Sequence, residues 1–289
     1  MFPFPELCLY GTLEVVEHCL KSGIDVNTEN GDKQTGLMSA AASCTTEDHV
    51  AILKILLATP SIEVNKADKK GYTALVHATG EGHISAVKLL LADQRVDVNC
   101  KNSPLVLAAA RTENIDIFKL LLADGRVDVN QRNGNITPLI NSSCNSNVAA
   151  AELLLDDPRV KVNWINSKGV SALHAAVTHK QTLQLFLAHP RVDVNCKLGP
   201  HGTTILHLAA AKNNGEAVKL ILADSRFSSA NAFDGEGGTA VTIAACKGNW
   251  EVLEELVHHP RIDLDVKQED GLTIDDILRR VCFANYSLL

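Results

Sequence analysis

Ala86-Val87-Lys88-Leu89-Leu90-Leu91-Ala92-Asp93-Gln94-Arg95-Val96-Asp97-Val98-Asn99 decides the fold, because its character changes halfway along. The first half is a Leu-rich run with one charge and reads as a helix with an apolar stripe. The second half, Val96-Asp97-Val98-Asn99, reads as extended chain. That extended phrase returns as Ile24-Asp25-Val26-Asn27, Ile62-Glu63-Val64-Asn65, Val127-Asp128-Val129-Asn130, Val160-Lys161-Val162-Asn163 and Val192-Asp193-Val194-Asn195. A decayed copy is Ile262-Asp263-Leu264-Asp265. Asn27, Asn65, Asn99, Asn130, Asn163 and Asn195 lie 38, 34, 31, 33 and 32 residues apart, and Asp265 follows Asn195 by 70, two further units. The helical phrase recurs in step as Phe118-Lys119-Leu120-Leu121-Leu122 and Ala217-Val218-Lys219-Leu220-Ile221-Leu222.

A third phrase precedes each helical one: Thr73-Ala74-Leu75, Ser103-Pro104-Leu105, Thr137-Pro138-Leu139, Ser171-Ala172-Leu173-His174, Thr204-Ile205-Leu206-His207 and Thr239-Ala240-Val241. Its hydroxyl suits a helix N-cap, and a proline suits the first turn. The alanine pairs that follow, such as Ala108-Ala109 and Ala209-Ala210, let two helices approach closely. Proline at 60, 158, 190 and 260 stops the second helix. The polar stretch after each extended phrase turns the chain into the next cap.

In this order of signals, and in its period near 33, the chain resembles the ankyrin repeat family over essentially its whole length. The resemblance implies an all-α fold: an ankyrin-repeat solenoid of stacked helix-turn-helix units, with β-hairpin fingers and a concave partner-binding face. One domain, 1–289, is expected, with repeats 1–34, 35–70, 71–102, 103–134, 135–168, 169–202, 203–237 and 238–270 and a half-repeat 271–289. Helix pairs are expected near 5–22, 36–58, 73–92, 104–123, 138–156, 172–188, 205–223 and 240–258, with a single helix near 273–283. The departures from the family pattern are local. Family helices usually end at glycine before the Asp-Val-Asn phrase, and here only Gly23 does so. The second repeat is long around Ser43–Asp48, the sixth is two residues short around Thr178–Gln181, and the fourth finger is short. The seventh repeat loses the phrase to Phe227-Ser228-Ser229-Ala230. Phe2-Pro3-Phe4 stands in place of a cap phrase, and Asp275 stands where a buried leucine belongs. Asp275, Asp276, Arg279 and Arg280 would give a terminal repeat its polar outer face; otherwise the chain is a piece of a longer protein.

Composition narrows the function. Of 289 residues 46% are hydrophobic, enough for a core, and 27 basic against 34 acidic residues give a net charge of −7, which disfavours nucleic acid as a partner. There is no apolar run long enough to span a membrane and no signal peptide at the start, so a cytoplasmic or nuclear location is expected. The eight cysteines show no C-x-x-C pair and read as buried free thiols, Cys100 and Cys196 among them as small packing residues. No phosphate loop, dinucleotide fingerprint, nucleophile elbow or metalloprotease helix is present, so neither catalysis nor a cofactor is expected. His174 and His207 are, by the resemblance, structural links between units. His258-His259 has no further metal ligand near in sequence, and the glycosylation-like triplets at Asn135, Asn141 and Asn285 read as chance matches.

The function expected is therefore a monomeric, non-enzymatic interaction module or scaffold that binds another protein. The alternative is the ankyrin part of a larger kinase, channel or ubiquitin-ligase substrate receptor. By the resemblance, a partner touches finger tips and first-helix ends. These positions hold Lys66, Lys69, Lys70, Tyr72, Lys101, Arg132, Asn133, Trp164, Lys168, Lys197, Leu198 and His201, and, at the helix ends, Arg111, Thr178, His179 and Lys212. Seven cations against Asp68 suggest an acidic peptide segment, whereas Asp234, Glu236, Glu269 and Asp270 turn the last fingers acidic. Trp164 takes the place of Cys100 and Cys196 and is either a packing change or an exposed anchor, while Trp250 is expected in the core. Arg95, Arg126, Arg159, Arg191, Arg226 and Arg261 recur just past helix ends, where they suit the dipole and free carbonyls; the alternative is a ladder for an anionic ligand. The resemblance also implies that Asn65, Asn99, Asn130 and Asn195, each with leucine eight residues before, are substrates of the asparaginyl hydroxylase that acts on hypoxia-inducible factor. The competing role for those side chains is to tie each hairpin to its neighbour.

Overall fold

The computed structural model describes residues 3–199, 201–267 and 273–286. It divides into two compact units, Met1–Asn141 and Ser142–Leu289. The first holds the helix pairs α1 (Phe4–Tyr10) and α2 (Leu13–Lys21), α3 (Gly36–Ala42) and α4 (Glu47–Ala58), α5 (Ala74–Glu81) and α6 (Ile84–Ala92), and α7 (Pro104–Ala109) and α8 (Ile115–Ala123). α9 (Pro138–Cys144) crosses the division. The second holds α10 (Val148–Asp156), α11 (Ala172–Ala176) and α12 (Lys180–Ala188), α13 (Ile205–Ala211) and α14 (Gly215–Ala223), α15 (Ala240–Lys247) and α16 (Trp250–Val257), and α17 (Ile274–Tyr286). None of the described helices is long and apolar enough to cross a membrane.

The cap phrases act as their residue types require. Thr35, Thr73, Ser103, Thr137, Ser171 and Thr239 each accept the backbone N–H three residues on, at 3.2–3.5 Å. Behind the caps, Ala40-Ala41, Ala108-Ala109, Ala209-Ala210 and Ala244-Ala245 are buried, and the first helices of neighbouring repeats pack on one another through them. The second helices form another layer, with Ile52 and Leu56, Val87 and Leu90, Phe118 and Leu121, Leu183 and Phe186, and Val218 and Ile221 inside. α11 has only five residues, which is where the sixth repeat loses its two. α17 runs to Tyr286, past the expected end, and the Asp275–Arg279 pair at 2.8 Å lies on it.

The fingers are tight turns closed by single bridges, such as Glu29–Thr35 and Leu198–Thr203, and no strand forms among the described residues. Four of the turns share one construction. Asn30, Asp68, Asn166 and Asp234 each accept the N–H groups two and four residues on through one side-chain oxygen. The residue three on lies in the left-handed region: Lys33, Gly71, Gly169 and Gly237.

Neighbouring repeats are joined by three side-chain devices. The asparagines reach forward. Asn65 Nδ2 donates to Arg95 O at 2.7 Å while its Oδ1 accepts from Asp97 N at 2.7 Å, and Asn27, Asn99 and Asn163 repeat the pair one unit along. Asn231 does the same for Arg261 O and Asp263 N, so the seventh repeat keeps the device one residue late. The arginines reach back. Arg95, Arg126, Arg191, Arg226 and Arg261 donate to the carbonyl of the penultimate residue of the preceding second helix: Leu57, Leu91, Leu155, Leu187 and Leu222. Where aspartate stands two residues earlier, as in Asp93, Asp124, Asp157 and Asp224, the guanidinium is forked and holds that carboxyl below the usual range. The ladder is thus a set of helix-end clamps, since its guanidinium groups already lie on carbonyls.

Arg126 is the best-provided clamp, with Asp124 and the carbonyls of Leu91, Asp93 and Val96 around it. Arg126→Leu is expected to lower stability by about 1–3 kcal/mol, because the carbonyls at a half-buried helix end lose a charged donor. Urea unfolding measures it, and faster amide exchange should be confined to the third and fourth repeats.

Candidate interaction surface

The third device lies at the start of the second helices. His179, expected at the partner surface, is half-buried at the N-cap of α12 and its Nε2 lies 3.1 Å from Cys144 O. His83 does the same to Ala42 O at 2.9 Å, Asn214 to Val177 O at 2.9 Å and Asn249 to Ala210 O at 2.7 Å. His49 reaches Leu9 O at 3.1 Å from the first turn of α4. A polar side chain at the start of the second helix thus closes the end of the preceding repeat's first helix. The signal was the recurrence of His or Asn at this place.

In the first unit the fingers of the second to fourth repeats lie side by side. Asn102 Nδ2 donates to Lys70 O and Gly71 O at 3.2 and 3.0 Å, Gln131 Nε2 to Cys100 O at 2.9 Å, and Ser103 N to Asn133 Oδ1 at 2.8 Å. This rank brings exposed Lys70, Tyr72, Lys101 and Arg132 together; Tyr72 is 37% exposed and meets His77 edge-on at 5.8 Å. Exposed Lys69 pairs with Asp32 at 3.7 Å, and Lys66 is held by Glu29 and Glu63 at 3.1 and 3.3 Å. Arg111, at the end of α7, is exposed and pairs with Glu113 at 3.8 Å. Asp68 is not a countercharge on this surface. It is 8% exposed and turned into its own turn, with His77 Nε2 at 3.0 Å. Burial alone would raise its carboxyl, but the N–H groups of Tyr72 and Lys70 and the His77 ring outweigh it and hold it low.

In the second unit the fingers of the fifth to seventh repeats are also adjacent: Gly169 lies against the backbone of Gly199, and Gly235 N donates to His201 O. Lys197 and His201 are exposed on this rank, Lys212 is exposed at the C-cap of α13, and Trp164 is half-buried. Trp250 is a correction. It is the first residue of α16 and 48% exposed, with its ring beside Gly248 in the turn between the two helices. Glu269 and Asp270 lie outside the described residues, as does the side chain of Asn285.

The buried groups are structural. His207 Nδ1 meets Thr204 Oγ1 at 2.8 Å and its Nε2 lies 3.2 Å from Gly238 O in the next finger. His174 has the same cap contact, to Ser171 at 2.8 Å, but its buried Nε2 lacks a partner. Burial lowers both rings, that of His174 to about 4. Cys100 and Cys196 lie 3.6 and 3.7 Å from the hydroxyls of Thr73 and Ser171, and burial pushes both thiols up, away from reactivity. His258 Nδ1 lies on Glu254 O, and Arg261 N donates to His259 Nδ1. Among the described residues no group of three His, Cys, Asp or Glu is placed to hold a metal. Asn65, Asn99 and Asn195 all spend their amides on the next repeat, so an enzyme acting on them must first open that junction.

Stacked helix pairs, turns in rank and side chains that close the neighbour's helix ends define a tandem-repeat protein. The family model for ankyrin repeats matches residues 6–102, 105–198 and 178–268, and the chain belongs to the ankyrin repeat family. Ankyrin repeats are in general protein–protein interaction modules. No curated protein matches the chain significantly.

Proposed function

We propose that the protein is a non-enzymatic interaction module whose first unit binds an acidic segment of another protein across the fingers of its second to fourth repeats. The observation that carries this reading is the rank of Lys70, Tyr72, Lys101 and Arg132 on fingers bonded side by side, with Asp68, the carboxylate of the first of these turns, turned inward. An aromatic ring among cations suits a peptide that offers carboxylates and an apolar side chain. The free, burial-raised thiols favour a reducing compartment, cytoplasm or nucleus, and a monomer is the simplest state for such a module.

The test is affinity purification from native lysate, followed by titration of the acidic segments of whatever is captured. Tyr72→Ala with Arg132→Glu is expected to weaken the complex by about 30-fold or more, the effect of losing one hot-spot contact. Binding to the intact chain should also fall with added salt. Equal capture by both forms would remove the first-unit fingers from the site. A loss seen only with Trp164→Ala would move it to the second unit.

A further inference from the structure

From the third repeat on, the arginine of the clamp stands four residues before the asparagine of the extended phrase, as in Arg95, Arg126 and Arg191, or five before the late Asn231, as in Arg226. At the junction of the first and second repeats that place belongs to Ser61, and Thr59 stands where Asp93 and Asp124 stand later. Ser61 is too short to reach α2. The first repeat closes its own helix instead: Gly23, at φ 79°, donates its N–H to Leu20 O at 3.1 Å, the carbonyl that corresponds to Leu57 and Leu91. With no arginine laid across it, the junction keeps an open cleft of about 590 Å³, lined by Glu17, Leu20, Lys21, Ile55, Thr59 and Ser61 among others.

We propose that this cleft receives an arginine side chain from a partner protein. Its apolar lining, Leu20 and Ile55 among it, suits the aliphatic stem of arginine. The Glu17 carboxylate lies at its edge, and the negative end of α2 is close by. Among the described residues Glu17 is held only by Lys21, through one contact of 3.5 Å from a side chain that is 77% exposed. A planar guanidinium can meet the same carboxylate with two hydrogen bonds and is less tightly hydrated than an ammonium group. Elsewhere the chain itself shows what lies at this place against a second helix, and it is a guanidinium each time. The occupant is an extended segment of another protein carrying arginine, seated on the second helices and not on the fingers.

The test is a backbone amide NMR titration of the full chain with an acetylated, amidated heptapeptide of glycine and serine around one central arginine. A second heptapeptide carries lysine there. The arginine peptide is expected to give saturable shifts at Glu17, Leu20, Ile55 and Ser61, with the lysine peptide roughly tenfold weaker. Glu17→Gln should abolish the response. The double variant Thr59→Asp, Ser61→Arg should also abolish it, because its own guanidinium fills the cleft. Equal response to both peptides, or shifts that survive Glu17→Gln, would overturn the proposal. So would shifts at the same amides that grow with protein concentration alone, which would make the occupant a second copy of this chain.

Discussion

Gly169→Ala is expected to destabilise the second unit by about 3 kcal/mol or more, and to do so through two separable effects. Gly169 has φ 79°, a left-handed conformation that costs an alanine about 1 kcal/mol. In addition, a Cβ at this position would land on the backbone of Gly199, which has no side chain to swing away. The fifth and sixth fingers would have to part. Gly237 supplies the control, because it has the same φ and open space where its Cβ would be. Gly237→Ala should therefore show the conformational part alone, and the difference between the two variants in urea unfolding is the steric part. Equal losses would mean that the fingers separate freely.

The second large effect is on pH. His174 is 3% exposed, its Nε2 lacks a partner, and burial lowers its ring from 6.5 to about 4. The unfolded chain therefore binds the proton first as acid is added. The stability that neutral His174 provides is complete above pH 6.5 and is lost as the pH falls from there toward 4, by about 3 kcal/mol in all. His207, also lowered by burial, adds to the loss in the same direction. The aspartates held low by arginine act only below the ordinary carboxylate range, so they do not mask this window. The urea midpoint of the intact chain should fall between pH 6.5 and 4, and His174→Gln should flatten that fall. A slope unchanged in the variant would assign the acid sensitivity to other groups.

Much of the fold could be read directly. The hydroxyl caps, alanine pairs and Leu-rich second helices are each defined by local chemistry that does not depend on what lies beyond the repeat. The forward reach of Asn65 and Asn99 was legible for the same reason, since the phrase recurs in register. The failures occurred where one residue of shift or one neighbour decides. Asn231 was missed because a single inserted residue separates it from Arg226. Trp250 was placed in the core because it lies between two helices, yet at the first position of α16 it is 48% exposed. Asp68 looked like a countercharge among lysines, because a backbone N–H is invisible in a string of side chains. The bond of His179 to Cys144 O was not legible, because it spans 35 residues. The surface itself was legible as a list of finger tips, but the pairing of Lys69 and Lys66 depends on Asp32 and Glu29, which stand on the preceding finger.

The backward-reaching arginines give each unit a direction in time. At four junctions, α4, α6, α10 and α12 each end on a carbonyl that an arginine of the following repeat covers. On a ribosome the earlier repeat emerges first and waits, with that end in water, until some 35–40 more residues have appeared. Each repeat is therefore finished one step behind its own synthesis, in the order in which it is made. The first repeat is the exception at its helix end, because Gly23 seals Leu20 O from within, although its apolar face still needs the second repeat.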